Sequence, residues 1–200
     1  MSPIVRGASA ASLVGGSIVL PVNECRHVPA RHVRPWTGEA GTAGTVAVVG
    51  AGKMGLPLAA QFASHGWSVI AVDIDPSVVA AINDGRSHIG EEPGVAELVA
   101  DAHAEGRLTA TLDGAAAAAT ADVVVLIVPV MLDPTQHPDH RSMDAAVAAI
   151  GGGLRAGATV VLETTLPVGD TRGRYAPMLA EASGLALEEE LFVAFSPERL

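Results

Sequence analysis

Between Thr45 and Gly55 the chain reads Thr45-Val-Ala-Val-Val-Gly50-Ala51-Gly52-Lys53-Met54-Gly55, a β-branched run that enters a G-x-G-x-x-G spacing. The residues beyond it make this more than a chance pattern. Leu58, Ala59 and Phe62 continue on a helical period, Gly66 ends the helix, and a second β-branched run finishes on Asp73. The three glycines then serve different ends. Gly50 permits the tight turn, Gly52 lets backbone approach a pyrophosphate with no Cβ in the way, and Gly55 lets the helix lie close on the sheet. Lys53 and Met54 sit where the helix N-terminus offers N–H groups and the positive end of its dipole to phosphate oxygens. Asp73 stands where a dinucleotide fold places the carboxylate that accepts hydrogen bonds from the adenosine ribose. With Ile74 and Asp75 beside it and no arginine nearby, that carboxylate would repel a 2′-phosphate. The expected cofactor is therefore NAD. Asp75, just before Pro76, is the more natural N-cap of the next helix, which leaves Asp73 for the ligand.

From Thr45 onward, β-branched runs alternate with helical stretches, the pattern of a parallel sheet covered on both faces. The reading places strands at 45–49, 68–73, 108–111, 123–128, 159–162 and 192–195. Helices fall at 52–65, 76–84, 94–105, 113–119, 142–150 and 170–183. The fold expected over 45–200 is a doubly wound α/β domain of strand order 3-2-1-4-5-6. Aromatic residues make up only 3% of the chain while 22 residues are glycine, so helices should meet the sheet through small side chains.

Residues 1–44 lack this periodicity and are read as a disordered leader. An apolar patch there is broken by Gly15-Gly16 and followed by Pro21, unlike a signal peptide. Cys25, His27 and His32 match no zinc spacing, and one cysteine excludes an internal disulfide. That cysteine count fits a reduced cytoplasmic protein, the expected location. A net charge of −10 with a single lysine argues against nucleic acid or an anionic membrane as partner. His137, Asp139 and His140 crowd one stretch without a metal-ligand spacing and are read as a solvated loop, so no metal is expected. Ser64-His65 has no orienting acid, and Ser196 lies in no nucleophile elbow.

Further motifs follow in order: Ala81-Ile-Asn83-Asp-Gly85, Glu91-Glu92-Pro93-Gly94, Val128-Pro129, Pro138-Asp139, Glu163-Thr164-Thr165-Leu166-Pro167-Val168-Gly169 and Ser196-Pro197-Glu198-Arg199. Together with the glycine loop they resemble the NAD-binding part of the UDP-glucose/GDP-mannose dehydrogenase family, the nucleotide-sugar 6-dehydrogenases. The Ser-Pro-Glu-Arg ending is similar to the UDP-N-acetyl-D-mannosamine dehydrogenase-like branch. The resemblance implies oxidation of a sugar C6 alcohol to a carboxylate by two hydride transfers to NAD. In the family a cysteine thiolate captures the aldehyde, and water releases the resulting thioester. By motif match Thr165 helps to hold the water, and Glu198 acts as general base or orients it. Val128, Pro129, Val130, Thr164 and Thr165 join Gly50, Gly52, Lys53, Met54, Gly55 and Asp73 as the implied cofactor-binding set. The implied partners are a UDP-sugar substrate and, for a full-length member, a second subunit in a homodimer.

The sequence departs from the family pattern in four places. Val130-Met131 replaces a Thr-Pro and removes a polar contact on the nicotinamide side. Val78 stands where some members carry an arginine over the adenosine. Asp170 interrupts a Gly-Thr-Thr run. The family's catalytic Lys and Asn, its nucleophilic Cys and its sugar-nucleotide domain follow the segment matched here, so this chain alone is expected not to turn over. Two other readings stay open at this point: the NAD domain of a β-hydroxyacid dehydrogenase of 6-phosphogluconate or hydroxyisobutyrate type, whose glycine loop also carries Met-Gly, and a non-catalytic dinucleotide-binding module.

Overall fold

The structure, a computed structural model, describes residues 44–90 and 92–197, together with the backbone of Ser12–Val14 and Ser17–Val19. Those two short strands pair antiparallel inside a separate unit, Met1–Arg31. The rest of residues 1–43, with Cys25, His27 and His32, and also Glu91 and residues 198–200, with Glu198, lie outside the described residues.

Six parallel strands form the sheet: β1 Thr45–Val49, β2 Ser68–Val72, β3 Leu108–Thr111, β4 Val123–Leu126, β5 Ala158–Leu162 and β6 Leu191–Phe195, in spatial order 3-2-1-4-5-6. The expected fold class and strand order are both observed. Six α-helices accompany them: α1 Gly55–Ser64, α2 Pro76–Asn83, α3 Val95–Ala104, α4 Gly114–Thr120, α5 Arg141–Gly151 and α6 Ala176–Ser183. The pleat sends alternate side chains of β1 to opposite faces. Val46 and Val48 pack with Leu56 and Val99 on one side, while Ala47 and Val49 pack with Met143 and Ile150 on the other. Both faces are covered, which is why the strands read as nearly continuous apolar runs.

Small residues set the helix spacing. A Cβ on Gly151 would sit 2.3 Å from the Ala182 Cβ, and one on Gly153 only 2.0 Å from the Ala115 carbonyl oxygen. The chain segments after β3, β4 and β5 thus approach more closely than larger side chains would allow. At the sheet's outer edge, β3 has no further strand beside it among the described residues. Asn83 occupies that side: its Nδ2 donates to the Ala110 carbonyl at 2.9 Å, and its Oδ1 accepts from the Ala110 N–H at 2.7 Å. One amide side chain thereby stands in for a strand partner.

Three local differences from the sequence reading have physical reasons. Helix α1 starts at Gly55, not residue 52, because residues 52–54 form the turn whose first closing bond runs from the Leu56 N–H to the Gly52 carbonyl at 3.0 Å. The stretch read as one helix over 170–183 opens instead with a π-turn, Thr171–Tyr175. There the Ala176 N–H reaches the Thr171 carbonyl, and Pro177, lacking an N–H, donates no backbone bond. The loop after β4 contains a small antiparallel ribbon, Met131–Leu132 with Pro138–Asp139. Asp133 organises its turn, with Oδ1 accepting from the N–H groups of Thr135 and His137.

Candidate functional site

Register decides where the site lies. Thr111, Val72, Val49, Leu126, Leu162 and Phe195 pair across the sheet in one row. The residues that follow them therefore leave the sheet at one level. Five of these six, Leu112, Asp73, Gly50, Ile127 and Glu163, line a single cavity of about 1120 Å³. It opens at the carboxyl ends of the strands, beside the point where strand order reverses between β1 and β4, the ligand position of open α/β sheets.

The glycine loop forms one wall. Gly50 adopts φ +99°, in the region that favours glycine, and its N–H donates to the Val72 carbonyl at 2.8 Å. A Cβ on Gly55 would lie 1.7 Å from the Gly50 carbonyl oxygen, so the helix start and the turn exclude any side chain there. Gly52 differs: a Cβ on it would meet no protein atom within 4 Å, and the residue lines the cavity. The space left at Gly52 is a cradle that a side chain would fill. Met54, the N-cap of α1, makes no side-chain capping bond; in the first turn the Leu56 N–H is taken by the Gly52 carbonyl and Pro57 has no N–H, which leaves the Gly55 N–H for a ligand.

Asp73 is fixed by the same loop. Its Oδ2 accepts from the Ala51 N–H at 2.9 Å and its Oδ1 from the Asp75 N–H at 3.0 Å. A carboxylate has about four lone-pair sites, so two remain to meet ribose hydroxyls. Asp75, as expected, is the N-cap of α2, accepting from the Ser77 N–H at 2.8 Å with Pro76 behind it. The Ser77 hydroxyl and N–H hold the Asp75 carboxyl below the usual carboxylate range.

The opposite wall comes from the loops after β4 and β5. Val128, Pro129 and Val130 line it, with Thr164 buried and Thr165 exposed at the rim. Every cofactor-binding residue expected from the sequence borders this one cavity: Gly50, Gly52, Lys53, Met54, Gly55, Asp73, Val128, Pro129, Val130, Thr164 and Thr165. The sequence reading missed a third wall, made by Ile74, Leu112 and the face of α5 that carries Ser142, Ala145 and Ala149. Its one signal was the row of small residues on that helix. Asp139 and Arg141 also border the cavity, and the Arg141 guanidinium beside it lowers the Asp139 carboxyl to about 2.

The weaker candidates are drawn apart. The His137 Nδ1 lies 2.9 Å from the Thr135 hydroxyl, Asp139 pairs with Arg141, and the His140 ring turns to Tyr175. Among the described residues no group of three or more His, Cys, Asp or Glu side chains is placed to hold a metal. Ser64 and His65 cap the exposed end of α1, both bonding the Gln61 carbonyl. Ser196 extends the β6 ladder through its N–H to Leu162. No helix of the described residues is long and apolar enough to cross a membrane.

These features agree with what the chain resembles. Residues 44–200 match the family model described as "UDP-glucose/GDP-mannose dehydrogenase family, NAD binding domain". Over 162 residues the chain is 38% identical to an NDP-N-acetyl-D-galactosaminuronic acid dehydrogenase of Ralstonia nicotianae, covering 78% of this chain and 37% of that protein. It is 36% identical over 163 residues to the UDP-N-acetyl-D-mannosamine dehydrogenase of Escherichia coli K12, with the same shares covered. A solved UDP-D-ManNAc dehydrogenase from Pyrococcus horikoshii superposes with a TM-score of 0.72 at 32% identity, over 78% of this chain and 36% of that one. The chain thus spans about 37% of the length of the curated relatives it matches.

Proposed function

From the premise that this chain belongs to the UDP-glucose/GDP-mannose dehydrogenase family, as its NAD binding domain, we propose that it is the cofactor half of an enzyme that oxidises the C6 alcohol of a UDP-N-acetylhexosamine to the uronate. The observation that carries the reading is the single cavity bordered by the open glycine position, Asp73 and the Thr164-Thr165 loop. NAD, when bound, supplies the hydride acceptor. The protein's own residues do the placing. The Gly55 N–H and the positive end of the α1 dipole would meet the pyrophosphate beside Gly52, and the free lone pairs of Asp73 would take the adenosine ribose hydroxyls. Ile74 and Leu112 offer apolar surface to the adenine. Val128, Pro129 and Val130, with Thr164, border the nicotinamide end, where Thr165 holds a water.

Two NAD equivalents are used per sugar, and the covalent steps belong to a cysteine supplied from beyond the segment matched here. Glu198, read as the general base or as the group that orients the hydrolytic water, lies outside the described residues. The substrate is a UDP-sugar, the full-length protein is a homodimer, and it works in the cytoplasm. The names of the relatives support the N-acetylated branch, as does the Ser-Pro-Glu-Arg ending.

Cofactor choice tests the reading directly. Calorimetric titration should show NAD binding at least about tenfold tighter than NADP, a difference of about 1.4 kcal/mol. Asp73→Ala should narrow that gap. Equal affinities for the two cofactors in the unaltered chain would remove the ribose assignment.

A further inference from the structure

Behind the cavity wall, three side chains from two segments meet without bordering the cavity. The His140 ring stands between the Tyr175 hydroxyl, 2.8 Å from Nδ1, and the Asp170 carboxylate, whose Oδ2 is 3.5 Å from Nε2. Tyr175 is fully buried. Burial, reinforced by the nearby Asp144 carboxylate, pushes its phenol up to about 12, so it stays a neutral O–H donor at physiological pH. A neutral imidazole carries one N–H and one acceptor nitrogen. When Tyr175 donates to Nδ1, that hydrogen must sit on Nε2, facing Asp170. The Asp170 Oδ2 is shut off from solvent and accepts no hydrogen bond from any described residue. An unsatisfied buried carboxylate oxygen is costly, and the Nε2–H of His140, at 3.5 Å just beyond a hydrogen bond, is the donor that a shift of a few tenths of an ångström would bring to it.

The location gives this contact a purpose. His140 immediately precedes α5, and its neighbours Asp139, Arg141 and Ser142 border the cavity. Asp170 closes the loop that carries Thr164 and Thr165 on another wall, and it opens the turn Thr171–Tyr175. A second tie runs parallel: the Arg174 guanidinium donates to both carboxylate oxygens of Asp144 and lies 5.9 Å from the Tyr175 ring centre.

We propose that His140 is a positioning residue: held as the Nε2–H tautomer between Tyr175 and Asp170, it latches the loop after β5 to the N-terminal turn of α5 and so sets the separation of two walls of the cofactor cavity. The proposal rests on the cofactor reading above. It accounts for an aspartate at Asp170, the one place where the loop departs from the family's Gly-Thr-Thr run. Neither member of the pair needs to touch the cofactor to change its affinity.

Nitrogen-15 NMR of the imidazole rings and NAD calorimetry, run on the same variants, test the latch. In the cofactor-free chain at neutral pH, His140 should show the Nε2–H tautomer, and Asp170→Ala should shift its Nε2 signal. Asp170→Asn retains an acceptor oxygen and should largely restore it. His140→Leu and Asp170→Ala should each weaken NAD binding by about tenfold, and the double variant by no more than either alone. Urea unfolding of each variant separates weakened binding from loss of fold. An Nδ1–H tautomer, or losses that simply add, would overturn the latch. If the unaltered chain binds no NAD, the cofactor reading fails, while the ring signals still uphold or overturn the tie between His140 and Asp170.

Discussion

On its β1 side the cavity is walled by backbone whose course is dictated by what cannot fit, whereas on its β5 side it is walled by a loop tied down through side chains. Gly55 leaves no room for a Cβ against the Gly50 carbonyl, and Gly50 takes a positive φ. The 163–170 loop shares only the positive φ, at Gly169 (+97°), where an added Cβ would meet nothing within 4 Å. There the ties are His140 to Asp170 and Asp144 to Arg174, contacts that bridge 30 residues of sequence. The difference shows two ways of making a rigid site. One uses steric exclusion, which is all-or-none; the other uses paired polar groups, whose loss is graded.

The largest effect should come from the steric wall. Gly55→Val should destabilise the domain by about 3 kcal/mol or prevent folding, read as the urea unfolding midpoint. Gly52→Ala, three residues earlier, should leave stability within about 0.5 kcal/mol of the unaltered chain yet weaken NAD by at least about tenfold. A stable Gly55→Val would break the contrast between the two walls.

On the wall built by the loops after β4 and β5 the effects are smaller and depend on pH. Tyr175 is the only tyrosine, so phenolate absorbance reports it alone. Its midpoint in the folded chain should lie near 12. Because the folded value is raised above the ordinary phenol value of about 10, the unfolded chain loses that proton first. The stability this group contributes is complete below pH of about 10 and is lost as pH rises through the folded midpoint. A midpoint at the ordinary value would mean that the Tyr175–His140 contact is open to water. The smallest effect belongs to Asp139, whose carboxyl is lowered to about 2 by the exposed Arg141 guanidinium. Its contribution is present above the ordinary carboxylate range and is lost as pH falls through the folded value. Arg141→Gln should return the Asp139 carboxyl, followed by carbon-13 NMR, toward the ordinary value. The unfolding midpoint at neutral pH should hardly move, since exposed ion pairs contribute little.

The same contrast explains what could be read from the residues alone. Strand order and the glycine wall were legible because glycine has no substitute at Gly50 and Gly55 and because two-faced burial makes β-branched runs nearly continuous. The carboxylate at Asp73 was legible from its distance along the chain. The α5 wall was not, since Ser142, Ala145 and Ala149 look like any small helical residues until the fold brings them to the strand ends. Nor was the π-turn, which depends on how Pro177 ends one hydrogen-bond pattern and starts another. The His140–Tyr175–Asp170 cluster was invisible for a simpler reason. Its members read separately as a solvated loop residue, a helix residue and a departure from a motif.

Strand order 3-2-1-4-5-6 also carries a consequence for how the chain is made. The first strand of the sheet to leave the ribosome, β1, ends up in the middle, with β2 on one side and β4 on the other. Each later strand adds to an outer edge, so none has to be threaded between two strands already paired. The sheet can grow outward during synthesis, first toward β3 and then toward β6. Until β4 emerges, however, one edge of β1 has unpaired N–H and C=O groups along an apolar strand, the kind of edge through which nascent chains pair with one another. Synthesis slowed between α4 and β4 should therefore raise the yield of aggregated chain, while the same pause after β6, when every strand that the sheet pairs has emerged, should not.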